Sequence, residues 1–268
     1  MLALYVLGAV QNRPDFTVIA ATAFAPARDV KQLALDLSAP PAPVFENFVA
    51  GQNAELLGHL RSLGEASARE RMMFLWGEGG SGRTHLLKAT IAACRRGGAN
   101  AIYIACGSAM TLPDGVDRVD CVALDDIDRL DAEAQEAAFH LYNAMRERGG
   151  VLVASGNAPP VQMTLREDLV TRLGWGLVFR VHALSDAEKA ETLADRAEAL
   201  GFPLPREVGD YLLARVPRDL PSLLAMLDGL DRYSRETKRP VTVALVREFI
   251  RAAGAEGPDA AARGVGVD

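Results

Sequence analysis

The sequence predicts an α/β protein: a parallel sheet covered by helices on both faces, built around a phosphate-binding loop, followed by a small all-helical domain. Three observations carry that prediction. Short apolar runs alternate with helical segments between Met72 and Val181. The first of these runs, Met72 to Trp76, leads straight into Gly77-Glu78-Gly79-Gly80-Ser81-Gly82-Arg83-Thr84, a glycine loop that opens a helix. From Ser185 onward the strand pattern stops and only helical segments follow. Strands alternating with helices imply a parallel sheet with both faces covered.

The elements follow in order. Ser38 to Pro43 is proline-rich and reads as a semi-rigid tether, because proline blocks helix and favours extended chain. Ala54 to Leu63 reads as a helix, Met72 to Trp76 as a buried strand, and Thr84 to Arg95 as a helix ended by Gly97 and Gly98. Further strands are expected at Ala101 to Ala105, Val119 to Leu124, Val151 to Ala154 and Leu177 to Val181, with a helix from Ala132 to Arg148. Ser185 and Glu188 fit a capping box opening a helix that stops at Gly201. Arg206 to Val216, Pro221 to Glu236 and Val243 to Ala253 complete the helical part. The domain plan is therefore a segment 30–43 with the tether, a nucleotide-binding core 44–182, a helical lid 183–253, and a Gly- and Ala-rich tail 254–268 expected to be disordered.

Composition narrows the function. The 268 residues suit a core with a small second domain. The net charge is −6 and no block of Lys and Arg stands out; a protein that held DNA by itself would show a basic face, so nucleic acid is not the expected direct partner. Cys94, Cys106 and Cys121 lack zinc spacing, and so few cysteines fit a reducing, cytoplasmic setting. No apolar run approaches the length of a membrane span. Leu2 to Val10 is apolar but lacks a positive flank and is broken by Gln11 to Asp15, unlike a secretion signal. Residues 1–29 read instead as translation from upstream of the true start, with Val30 where a GTG start codon would be read internally.

The chemistry sits in a few places. In the glycine loop, successive backbone N–H groups and the following helix start suit phosphate; Gly77, Gly79, Gly80, Ser81, Gly82, Arg83 and Thr84 are its candidate ligands, against the alternative of an ordinary Gly-rich turn. Thr84 offers a hydroxyl to Mg²⁺. Arg83 stands where lysine is usual; it can hold phosphate, but with different donor geometry, which favours binding over efficient hydrolysis. Asp125 and Asp126 follow an apolar strand, the arrangement that places one carboxylate on Mg²⁺ and another near an attacking water; the alternative is a solvated helix cap. Asn157, just past a strand, could reach the terminal phosphate or could simply form a turn. Arg172, within Arg166 to Gly176, could be a surface ion-pair partner of Asp168 or Glu167. Arg218 opens a lid helix and could reach nucleotide or serve only as a helix-end charge. Gln32-Leu33-Ala34-Leu35-Asp36-Leu37 resembles the hexapeptide with which bacterial proteins bind the β sliding clamp, with Leu35 and Leu37 entering an apolar pocket and Gln32, beside Leu33, at its edge; a short core strand is the alternative.

Together these pieces resemble the DnaA-related AAA+ family, and within it the regulatory inactivators of the replication initiator DnaA. The resemblance runs from Lys31 to Ala253 and is carried by the clamp-like hexapeptide, Glu46-Asn47-Phe48-Val49-Ala50-Gly51, the loop with Arg83, Asp125-Asp126, and Arg172-Leu173-Gly174-Trp175-Gly176. It implies an AAA+ phosphate-loop core with a helical lid, bound ADP or ATP with Mg²⁺ on Thr84 and Asp125, and Phe48 or Val49 beside the adenine. It makes Asn157 and Arg218 nucleotide sensors and Arg172 an arginine finger acting in trans. The implied role is negative regulation of DNA replication initiation: the ADP-bound protein, tethered to the clamp, stimulates ATP hydrolysis by DnaA and meets DNA only through the clamp. Two departures from DnaA fit that role. The chain ends after the lid, where DnaA continues into a basic helix-turn-helix domain, and Ala105 to Arg118 is a short loop where DnaA carries a longer helical insertion used on single-stranded DNA. The competing readings are an AAA+ ATPase serving as helicase loader or transposition helper, and a free-standing nucleotide switch. Whether copies of the chain assemble with one another is left open.

Overall fold

The computed structural model describes residues 42–63, 70–217 and 219–252. Helix α1 (Ala54–Ser62) precedes strand β1 (Met72–Trp76), and α2 (Arg83–Arg96) leads to β2 (Ala101–Ala105). Strand β3 (Cys121–Asp125), helix α3 (Ala132–Glu147), β4 (Val151–Gly156), α4 (Glu167–Leu173) and β5 (Leu177–Arg180) complete the core. All pairings are parallel and the strand order is β2-β3-β4-β1-β5.

The apolar runs are continuous because both sheet faces are buried, while the two-residue period of a strand divides them between two layers. Met73, Leu75, Cys121, Ala123, Val151 and Val153 pack with α1 and α2 residues such as Leu60, Leu86 and Ile91. Met72, Phe74, Val122, Leu124, Leu152 and Ala154 pack with Leu141, Met145, Leu169 and Leu173 of α3 and α4.

Most element ends lie within one residue of the sequence reading, and two strand ends differ by two residues. Strand β3 starts at Cys121 rather than Val119, because a 3-10 turn at Val116–Arg118 precedes it. Strand β4 runs on through Ser155 and Gly156, pairing with Leu75 and Trp76 of β1. Helix α4 was not expected at all: it is short and polar, with only Leu169 and Leu173 buried.

The helical region contains α5 (Asp186–Leu200), α6 (Arg206–Arg215), α7 (Leu220–Thr237) and α8 (Val243–Ala252). The Ser185–Glu188 capping box forms reciprocally, and Gly201 closes α5 at a φ of 90°. Leu193, Leu212, Leu227, Leu230, Leu245 and Phe249 make a separate hydrophobic core. The link between β5 and α5 is held by Asn53, which is 2 % exposed. Its Nδ2 donates to the His182 carbonyl at 2.9 Å, and its Oδ1 accepts from the His182 N–H at 2.8 Å.

Candidate functional site

Strands β3, β4 and β1 are neighbours and run parallel, so their C-terminal ends meet at one sheet edge, where α/β folds build their sites. That edge carries the glycine loop after β1, Asp125 at the end of β3 and Ser155 near the end of β4.

The loop is close-packed around its backbone. A Cβ on Gly77 would lie 2.6 Å from the Val181 carbonyl, and one on Gly82 would lie 2.7 Å from the Phe48 ring. Gly82 also has a φ of 101° and no side chain to cap α2. The helix start is therefore without a capping acceptor, the condition in which its N–H groups attract an anion. Two polar groups of the loop are buried with no hydrogen-bond partner among the described residues: Ser81 Oγ and Arg83 Nη1. Buried polar atoms are ordinarily paired, so both are suited to an incoming acceptor.

Asp125 is the electrostatic centre. It is 3 % exposed, and the side-chain donors that reach its carboxylate among the described residues are hydroxyls. Thr84 Oγ1 and Tyr103 OH each donate to Oδ2 at 2.7 Å, and Ser155 Oγ donates to Oδ1. Ser155 Oγ in turn accepts from the Asp126 N–H at 3.0 Å. Burial, and then the bond to Asp125, raises the Tyr103 pKa above its ordinary value. Burial, followed by the Asp125 charge, pushes the Cys106 thiol up to about 12.

Asp126 adopts a left-handed backbone with a φ of 55°, a conformation that Asp tolerates better than most residues. Its Oδ1 lies 3.3 Å from Arg83 Nη2. Burial and the Asp125 charge raise the Asp126 pKa, and the Arg83 guanidinium opposes them. Asn157 lies just past β4 and is exposed; its backbone N–H donates to Asp128 Oδ1 at 3.1 Å. Ser155, and not Asn157, is the β4 side chain bonded to Asp125.

Phe48 and Val49 are half-buried before α1. The Phe48 ring packs on Gly82 and lies 5.4 Å from the His85 ring. His85 Nε2 bonds the Val44 carbonyl at 2.9 Å, which fixes this segment over the start of α2.

Arg172 stands on the last turn of α4. Its Nε donates to Asn143 Oδ1 on α3 at 2.7 Å. Its guanidinium carbon sits 3.8 Å from the centre of the Trp175 ring and 5.4 Å from that of Phe139. Trp175 is 49 % exposed, and its ring also carries Arg146 at 4.9 Å. The ion pair to Asp168 or Glu167 does not form among the described residues: Asp168 is held by Arg166 at 3.0 Å. Arg218 and the hexapeptide residues Gln32, Leu33, Leu35 and Leu37 lie outside the described residues, as do segments 1–29 and 254–268.

Sequence reasoning missed Tyr103, Ser155 and Asn143. Tyr103 looked like one more aromatic in a strand, and Asn143 like a polar position on a helix. Ser155, beside Gly156 and Asn157, looked like the start of a loop; its signal was a hydroxyl in line with an apolar run. Among the described residues no group of His, Cys, Asp or Glu could hold a metal on its own, and no helix is long and apolar enough to cross a membrane.

Comparison with known proteins gives consistent matches. Residues 186–250 match the family model "Hda, lid domain", and residues 104–180 match that of the bacterial DnaA ATPase domain. Domain III of the Thermotoga maritima replication initiation protein DnaA is similar in structure, with a TM-score of 0.62 at 21 % identity, over 81 % of this chain and 97 % of that one. AMPPCP-bound DnaA from Aquifex aeolicus gives 0.59 at 22 % identity, over 74 % and 70 %. A Thermotoga maritima RuvB mutant gives 0.57 at 14 % identity, over 79 % and 73 %. At these identities the structural likeness is one of fold.

Proposed function

This chain belongs to the DnaA-related AAA+ proteins, with an AAA+ core and a helical lid, and from that premise we propose that it is a negative regulator of DNA replication initiation that makes DnaA hydrolyse its ATP. The observation that carries the reading is Arg172. Its guanidinium is oriented by Asn143 and stacked on a half-exposed tryptophan, with no carboxylate neutralising it among the described residues. A side chain held in that way is suited to meet charge on another molecule. An arginine finger acts so, stabilising negative charge that develops on a phosphoryl group in a neighbouring subunit.

The chain's own loop fits a nucleotide. Ser81 Oγ and Arg83 Nη1 are buried donors awaiting an acceptor, and the uncapped start of α2 adds positive potential. Thr84 and Asp125, 2.7 Å apart, are the pair that would share Mg²⁺ with the phosphates, and Phe48 and Val49 would flank the base. Bound ADP or ATP would supply phosphate oxygens to the Ser81 and Arg83 donors and to the start of α2. Asn157 and Arg218 are the proposed sensors of that phosphate from core and lid. The protein acts in the cytoplasm as an ADP-bound partner of DnaA. It is tethered to the β sliding clamp of DNA polymerase III by Gln32, Leu33, Leu35 and Leu37, so that DNA is met through the clamp.

The test is ATP hydrolysis by DnaA, measured with and without this protein, clamp and DNA. Stimulation that Arg172→Ala abolishes, with ADP and clamp binding intact, is expected. Undiminished stimulation by Arg172→Ala would reject the finger assignment, and no stimulation by the unaltered chain would reject the function.

A further inference from the structure

Arg83 makes one contact that phosphate binding does not require. Its guanidinium presents two terminal nitrogens to two different places. Nη1 is buried and unpartnered in the loop, whereas Nη2 lies 3.3 Å from Asp126 Oδ1. The side chain is only 12 % exposed, so solvent competes weakly for either nitrogen. Asp126 is itself constrained: its backbone is left-handed at a φ of 55°, its N–H is taken by Ser155 Oγ, and no side-chain capping bond uses its carboxylate. The other charges around it are Asp125, Asp128 and Arg129.

We propose that Arg83 is a restraint on the chain's own hydrolysis, holding phosphate with Nη1 while Nη2 holds Asp126, so that the site retains its nucleotide instead of turning it over. Hydrolysis needs water oxygen to bond the γ-phosphorus as the bond to the β-phosphate oxygen breaks, with a water proton passing to a carboxylate. Asp126 is the carboxylate beside the phosphate loop, and the 3.3 Å contact from Nη2 occupies the oxygen that would otherwise be open to an attacking water. A guanidinium, planar and with spaced donors, can serve both contacts at once; a lysine ammonium is a single point charge and serves the phosphate alone. This inference rests on the reading of Gly77–Thr84 as a nucleotide site, and it is independent of Arg172, of the clamp and of DnaA.

The experiment uses the full chain with no DnaA, clamp or DNA. ADP affinity is measured by titration calorimetry, and ATP conversion in a single turnover, for the unaltered chain, Arg83→Lys, Arg83→Met and Arg83→Lys with Asp126→Asn. Positioned acid–base groups contribute roughly 10²- to 10⁴-fold, so freeing Asp126 should speed conversion by at least about tenfold. With protein in excess over each variant's measured ADP dissociation constant, we expect Arg83→Lys to gain that rate, the second substitution to remove the gain, and Arg83→Met to lose ADP affinity. Arg83→Lys that binds ADP yet converts ATP no faster overturns the proposal. So does Arg83→Met that binds ADP as well as the unaltered chain, a readout that needs no turnover. Circular dichroism confirms that each variant is folded, and Arg83→Gln, which also releases Asp126, takes the place of a lysine variant that is not. If the unaltered chain itself binds no ADP, the nucleotide reading fails first and visibly.

Discussion

Asn143→Ala should weaken stimulation of DnaA without removing the finger. Arg172 has two orienting contacts: the 2.7 Å bond from Nε to Asn143 and the stack on Trp175 at 3.8 Å. A hydrogen bond to a charged group contributes about 1.5–3 kcal/mol, and partial exposure of Arg172 puts this one at the lower end. The cation–π contact, about 0.5–1 kcal/mol at an exposed site, remains in the variant. The net loss of order is therefore about 1–2 kcal/mol, which at about 1.4 kcal/mol per tenfold gives a fall of roughly five- to thirtyfold. Loss of an arginine finger itself costs about 10³-fold or more. The assay is the stimulated rate of DnaA hydrolysis at saturating partner, with ADP and clamp binding measured alongside. A fall in maximal rate at unchanged half-saturation is expected, and Asn143→Gln, which keeps a neutral amide acceptor, should recover part of it. If Asn143→Ala stimulates as well as the unaltered chain while Arg172→Ala is inactive, the finger does not depend on this bond and the reasoning is wrong.

Other perturbations reach other parts of the molecule. Asn53→Ala removes both bonds to the His182 backbone and should destabilise the protein by about 2–4 kcal/mol; an unchanged urea midpoint would contradict that. Gly82→Ala meets both a φ of 101° and the Phe48 ring at 2.7 Å, so about 1–3 kcal/mol of strain and weaker ADP binding are expected, read by thermal melting and calorimetry. Gln32→Ala combined with Leu35→Ala should abolish clamp pull-down while leaving ADP binding unaltered; retained pull-down would dismiss the hexapeptide.

Most of the core was legible because its signals are local. Met72 to Trp76 is apolar throughout, the glycines follow at once, and the loop's chemistry is set by consecutive residues. The capping box at Ser185 and the left-handed Gly201 are equally self-contained. What escaped is chemistry assembled across the sheet. Tyr103, Thr84 and Ser155 converge on Asp125 from β2, α2 and β4, and nothing near any of them in the chain announces the others. Helix α4 escaped because so short a segment with only two buried leucines has little periodicity to read. Asn143 escaped because its role depends on Arg172, on a different helix. Arg83 was visible as an unusual residue, but its pairing with Asp126 needed the left-handed turn that brings that carboxylate round.

The stretch from Phe45 to Asn53 has a geometric consequence. It presses Phe48 on the loop glycine Gly82 near one end, and grips the strand-to-lid connection through Asn53 at the other. So short a yoke, with part of its length wound into 3-10 turns, has little slack. One piece of chain that precedes the whole sheet in sequence therefore touches both the phosphate loop and the connection leading to the lid.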